Sequence, residues 1–328
     1  MTSSVPPGAV GFLIVGNPRS GTTLVQRLAC ELPGVRMPPE THFFTRFATD
    51  LVTNHRFPVT NPELTEVVRS WAGAGHSSGL DVDVDAVLAE LEGICHRPFD
   101  LFQAAVRQLA GPAEMWGEKT PNHLVWWRPI SEAAPWMRFV AVVRDPRAVV
   151  ASNLEMPWKT DRTLPAWGDD LHLAFAELWA FFQGQVLRLK RELGAGRCLI
   201  LRYEDVVRDP DSTRLRLAQF LGRPSDAAPQ ASPSDIVLPW ESWKAEALGP
   251  VADDRVASWR EQLDRRRARE IAVVCRQAML RLDYSDDLPS WPSAAARAIG
   301  LGPIRAARLV RYARARRMHL RTVERTRL

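Results

Sequence analysis

The chain has 328 residues, 46% of them hydrophobic and 25% charged, too apolar for a disordered chain and enough for one large domain or a domain with an inserted cap. Cys30, Cys95, Cys198 and Cys275 are scattered, with no CxxC pair and no Cys/His cluster, which excludes a disulfide framework and a zinc site. Residues 297–328 hold ten arginines and one acid, Glu324, so the net +5 of the whole chain leaves −4 on residues 1–296; a nucleic-acid enzyme, with its positive charge on a binding face of the body, is not expected.

Residues 1–16, MTSSVPPGAVGFLIVG, have no basic leader region. Their apolar run is strand-length, well short of the roughly 20 residues a membrane span needs, so a cytoplasmic protein is expected. GFLIV (11–15) is a short continuous apolar run, as in a strand buried on both faces of a parallel sheet. GNPRSGTT (16–23) follows, then TTLVQRLACEL, with helical spacing at Leu24, Leu28 and Leu32. In PPETHFF (38–44), Glu40 and His42 are two apart and share a side if that segment is extended. Residues 45–113 read as helices with no strand between them, a helical insertion over one end of the sheet.

A second strand is MRFVAVV (137–143), followed by RDP and the helix RAVVASNLE. Residues 154–170 are Pro- and Trp-rich and aperiodic, which suggests a loop near a binding face. A third strand, CLILRY (198–203), precedes a helix capped by Asp211 or Ser212 and ended by Gly222. Residues 285–303 read as a linker into the basic tail. Strands alternating with helices predict an α/β domain over 1–296 with a mainly parallel sheet, and 297–328 as an appended tail. Leu301, Ile304, Leu309, Val310, Met318 and Leu320 among the tail's arginines fit a basic helix. Such a helix lies on an anionic membrane surface, docks on an acidic partner, or packs on the acidic body.

The loop Gly16-x-x-x-x-Gly21 has the glycine spacing of a phosphate-binding loop, yet Thr22 stands where a nucleoside-triphosphate enzyme has its lysine. Two tasks separate here. Glycines, successive N–H groups and a helix N-terminus bind a phosphate, whereas the lysine and Mg²⁺ manage β- and γ-phosphates. This loop keeps the first task and lacks the second, which suits a single 5′-phosphate. Arg144 at the end of the second strand and Ser152, eight residues on, pair a guanidinium fork with a hydroxyl for a second, separate phosphate. The bland alternative makes Asp145 a helix cap and Arg144 an ion-pair partner.

PRSGTT behind the first strand and RDPRxxxxSN behind a later one resemble the 5′-phosphosulfate and 3′-phosphate loops of the sulfotransferases that use 3′-phosphoadenosine 5′-phosphosulfate (PAPS). The likeness extends in order through EKTP (118–121), RYEDVVRDP (202–210) and WKAEALGP (243–250). It implies a P-loop-like three-layer sandwich, with PAPS as donor, a hydroxyl acceptor and no metal. It further implies the backbone of Arg19, Ser20, Gly21, Thr22 and Thr23 around the 5′-phosphate, Arg144 and Ser152 on the 3′-phosphate, Tyr203 against the adenine, and Lys244 in a stretch folded over the nucleotide. Relatives that act on glycans and tyrosyl proteins place a Glu where Glu40 stands. The cytosolic small-molecule members use a histidine two residues after the lysine of KT, where this chain has Pro121. The resemblance therefore implies Glu40 as general base, His42 as runner-up or orienting partner, and Lys119 at the scissile bridge with Arg19 sharing that work.

Only four lysines occur in the chain, and a compact ammonium is not interchangeable with a guanidinium; this draws attention to Lys119 and Lys244. Two other readings compete. A P-loop nucleotide kinase is disfavoured by Thr22, and a non-catalytic nucleotide-binding protein of the same fold by Glu40 and Lys119 beside the loops. The acceptor is expected to be a metabolite, lipid or glycan, bound by 45–113 and 154–170. Phe43, Phe44, Trp126, Trp127, Trp158 and Trp167 are expected either to line its cleft or to sit in the core.

Overall fold

In the computed structural model, residues 4–73, 79–156, 165–224, 236–251, 253–285, 288 and 301–328 are described. Trp158 with the rest of 157–164 in the aperiodic loop, and most of the linker, lie outside them. A five-stranded, all-parallel sheet runs in the order β2 (Val35–Arg36), β5 (Met115–Lys119), β1 (Val10–Gly16), β6 (Arg138–Val143), β7 (Cys198–Arg202). Every residue of β1 is buried, as a continuous apolar run at the centre of a two-sided sheet requires. Its side chains alternate between two cores. Phe12 and Ile14 join Leu24 and Leu28 of helix Thr22–Cys30, with Leu217 and Leu221 of helix Pro210–Leu221. Leu13 and Val15 join the core that holds the long helix Leu171–Leu193 and helix Arg265–Arg281. Helix, sheet, helix is the expected three-layer sandwich.

The segment 45–113 is largely helical, but it also contains an antiparallel pair of two-residue strands, β3 (Val59–Thr60) and β4 (Ile94–Cys95). Neither carries enough residues for a periodicity, so the strand-free expectation missed them. The helix after β7 is capped by Asp209, which accepts from Ser212 N at 2.9 Å, rather than by Asp211 or Ser212, and it ends at left-handed Gly222 as expected. All four cysteines are buried.

The tail forms a helix, Pro303–Val323, packed against the long helix and the 3₁₀ turn Pro121–Trp126. Leu301, Leu309, Leu320 and Val323 are buried, while Val310 and Met318 are exposed. Arg305 grips Glu270 with two hydrogen bonds of 2.9 and 2.8 Å and pairs with Asp170 at 2.8 Å. At the other end Glu324 pairs with Arg188 at 3.2 Å. No described helix is long and apolar enough to cross a membrane.

Candidate active site

The residues singled out in the sequence sit at the carboxyl ends of the five parallel strands, where open α/β sheets bind ligands. β1 ends at Gly16, where an added Cβ would lie 2.5 Å from the Val142 carbonyl oxygen. The loop then passes through left-handed conformations at Arg19 and Gly21. A Cβ on Gly21 would fall 2.3 Å from Cδ2 of Tyr203, so only glycine lets the Tyr203 ring lie against the loop. Helix Thr22–Cys30 begins there with no side-chain cap and no acid in its first turn, which leaves its first N–H groups for an anion. Ser20 Oγ is buried without a hydrogen-bond partner among the described residues.

The second phosphate motif comes to the same place. Arg144 is buried after β6 and donates from Nη1 to the Arg19 carbonyl at 3.2 Å and from Nη2 to the Arg255 carbonyl at 2.8 Å. Its guanidinium lies over the Tyr203 ring, 4.3 Å from the centroid. Asp145 is occupied: it caps helix Pro146–Leu154 by accepting from Arg147 N at 2.7 Å and pairs with the Arg147 guanidinium. Arg144 is thereby left on backbone carbonyls rather than on its neighbouring acid. Ser152 Oγ accepts from Arg19 Nε at 3.0 Å, which joins the two loops directly.

The third group lies where β2 and β5 end. Lys119 is fully buried and donates to Glu40 Oε1 and to Thr23 Oγ1, the latter at 3.3 Å. Lys244 reaches the same Glu40 oxygen at 2.7 Å and pairs with Glu241. His42 Nε2 stands 3.5 Å from Glu40 Oε2. Burial pushes the Glu40 carboxyl up, but the charges of Lys119, Lys244 and His42 outweigh it and hold the group well below the usual carboxylate range. Burial pulls the Lys119 ammonium down to about 8, against the raising effect of Glu40. Burial acts on Lys244 in the same direction, yet Glu40 and Glu241 together raise it, because Lys244 has two carboxylates and Lys119 one. His42 is pulled down to about 4, chiefly by burial, and is a neutral imidazole at neutral pH.

Sequence reasoning missed what holds this segment. Glu118, fully buried beside Lys119, accepts from Thr41 N at 3.2 Å, Thr41 Oγ1 at 2.9 Å and Thr120 Oγ1 at 2.6 Å. His123 Nε2 accepts from Phe44 N at 3.2 Å, so Nδ1 carries the proton it donates to Glu118 at 2.9 Å. Together they fix the strand-end turn that presents Glu40 and His42. The signal available was the EKTPNH run itself, a carboxylate and an imidazole five residues apart.

One cavity of about 1040 Å³ connects all three groups. One end is formed by Arg19 and Gly21 to Thr23, with Arg144, Tyr203 and Lys244. At its other end the expected acceptor segment 154–170 is only partly described, residues 157–164 lying outside the described residues. Among the described residues of 45–113, Thr45, Arg46 and Thr49 line the cavity. The rest comes from the 3₁₀ turn, the long helix and the tail helix. Among the aromatics, Phe43, Phe44 and Trp127 belong to the core, Trp126 is buried yet lines the cavity, and Trp167 packs on Tyr312 of the tail.

The fold is shared by two bacterial-pathway domains. The sulfotransferase domain of the curacin biosynthetic pathway superposes with a TM-score of 0.58 at 17% identity, over 88% of this chain and 100% of that domain. The sulfotransferase domain of the Synechococcus PCC 7002 olefin synthase gives 0.54 at 19% identity, over 88% and 99%. No curated protein matches the chain. The model of the sulfotransferase family matches residues 12–227, about two thirds of the sequence and the span that carries both phosphate motifs. The chain belongs to the sulfotransferase family.

Proposed function

We propose that the protein transfers a sulfuryl group from PAPS to an acceptor hydroxyl. The acceptor oxygen attacks sulfur, the bond from sulfur to the 5′-phosphate oxygen breaks with its electron pair left on that oxygen, and the hydroxyl proton passes to Glu40. 3′-Phosphoadenosine 5′-phosphate (PAP) leaves. The observation that carries this reading is Lys119 Nζ, which bridges the loop hydroxyl of Thr23 and the carboxylate of Glu40. That position suits a cation aimed at the charge developing on the bridging oxygen, a contribution of roughly 3–4 kcal/mol. The 5′-phosphate is placed on the loop amides of Arg19 to Thr23 and Ser20 Oγ, the 3′-phosphate on Arg144, Ser152 and Arg19, and the adenine on Tyr203. The hydrogen bond to Ser152 favours the 3′-phosphate end for Arg19 over a share in the bridge chemistry.

Clamped between two ammonium groups, Glu40 is a weak base. A phosphosulfate entering the loop competes for Lys119 and Lys244. As they turn to it, the proton affinity of Glu40 rises, so donor binding arms the base before the acceptor reacts. His42, neutral and 3.5 Å from Glu40, orients that carboxylate and is the alternative acceptor of the proton.

The catalytic unit of this cytoplasmic enzyme is residues 1–296 together with the tail helix Pro303–Val323, which packs on them and lines the cavity. Contact of the tail with an anionic membrane would rest on Val310 and Met318 among exposed arginines, because Leu309 and Leu320 are engaged in packing. Transfer of radiolabelled sulfate from PAPS to a hydroxyl library, with EDTA present, tests the proposal. Labelled product supports it, whereas phosphoryl transfer from ATP–Mg²⁺ would point to a kinase, and nucleotide binding with no transfer to a non-catalytic protein.

A further inference from the structure

We propose that the tail helix Pro303–Val323 is the acceptor-binding wall of the cavity, and that the acceptor it selects is an amphipathic hydroxyl compound with an apolar body and an anionic group. The inference rests on the donor assignment above and goes beyond it. The family match ends at residue 227, so this wall lies outside the stretch that carries the shared chemistry.

Tyr312, Arg316 and His319 line the cavity. Their spacing of four and three residues puts them on one helix face. That face is held in place from both ends and beneath, by Arg305 on Glu270 and Asp170, by Glu324 on Arg188, and by buried Leu309, Ala313 and Leu320. The long helix on which the tail packs adds Phe175, Leu178, Phe181 and Phe182 to the lining, and the 3₁₀ turn adds Val125 and Trp126. These side chains offer an apolar body more than a hydrated sugar a place to bind.

The charges of the two ends differ. The carboxylates lining the cavity are Glu40, Glu241 and Asp254. The first two are paired with lysines, and Asp254 lies at the Tyr203 end. At the tail wall the lining holds Arg316 and His319, Arg46 lines the cavity near His42, and among the described residues no further carboxylate lines it. Arg46 is exposed and has no carboxylate partner among the described residues. Arg316 donates to the Tyr312 hydroxyl at 2.5 Å and its guanidinium lies over the Tyr312 ring at 4.7 Å, while its Nε is buried with no hydrogen-bond partner among the described residues. Arg316, a guanidinium in the cavity lining with no carboxylate partner among the described residues, calls for an anionic or strongly accepting group on the ligand.

Three matched probes test this on the full chain with PAP present: 12-hydroxydodecanoate, 1-dodecanol and 12-amino-1-dodecanol, with binding followed by calorimetry. The carboxylate should bind at least ~10-fold more tightly than the neutral alcohol, the scale of one charge-assisted hydrogen bond, and the amine most weakly. Arg316→Gln should remove most of that preference while PAP binds as before. Arg46→Gln, on a separate element, should reduce it in the same direction and keeps the test available if the tail variant misfolds. Equal binding of the three probes, preference for the amine, no binding of any probe to a chain that binds PAP, or an unchanged preference in both variants would overturn the inference. Loss of PAP binding itself would instead strike the donor assignment.

Discussion

In the proposed reaction, Glu40 is the residue on which the chemistry turns. Glu40→Gln keeps its shape and removes the base, and turnover is expected to fall ~10²–10⁴-fold, with PAP affinity nearly unchanged. Steady-state rates with titrated PAP check this, and near-normal turnover would transfer the role to His42. Lys119 sets a pH limb. Its competent form is the ammonium, and burial brings its pKa to about 8. The active fraction therefore declines as pH rises through that value, and kcat/KM, which reports the free enzyme, should fall on the alkaline side near pH 8. Lys119→Arg keeps its charge to far higher pH and should abolish that limb, at a lower plateau because a fork replaces a point charge. Glu40 and Lys119 were legible through the resemblance of their motifs. Their junction was not, because Lys119 comes from 79 residues beyond Glu40, and Lys244 gave no local sign that it turns to Glu40. Such convergence belongs to tertiary packing.

At the scale of elements, the loop and its helix carry the proposed nucleotide site. Gly21→Ala would place a Cβ in a left-handed position and into the Tyr203 ring. The backbone cost alone is roughly 1–2 kcal/mol, and displacement of the ring should weaken PAP at least ~10-fold, read by calorimetry alongside a lowered Tm. Strands β1, β6 and β7 were readable because each is an unbroken apolar run. β2 has two residues, and β5 reads MWGEK, so neither shows an apolar period. Glu118 and Lys119 are buried there only because His123, Thr41 and Glu40, distant or unmarked in the sequence, satisfy them. Likewise the tail was readable as a basic helix, but its arginine composition said nothing of which face meets the cavity.

For the molecule as a whole, the tail is part of the folded body. Deleting 297–328 removes four buried leucines, Leu301, Leu309, Leu320 and Leu328, each worth roughly 1.5–3 kcal/mol when fully buried. The truncated protein should unfold at a clearly lower Tm in calorimetry, and co-sedimentation with anionic vesicles should be weak even for the full chain at physiological salt, since among the described residues the large apolar side chains exposed on the tail are Val310 and Met318. The central claim is that a lysine-free loop and the Arg144–Ser152 motif form one site for a nucleotide with separate 5′- and 3′-phosphates. Isothermal titration with EDTA present compares PAP, AMP (its 3′-dephospho analogue) and, in a parallel run with Mg²⁺, ATP. The account predicts one-to-one binding of PAP, at least ~10-fold tighter than AMP, with that margin lost in Arg144→Ala. Tight ATP–Mg²⁺ binding with no preference for PAP would contradict it.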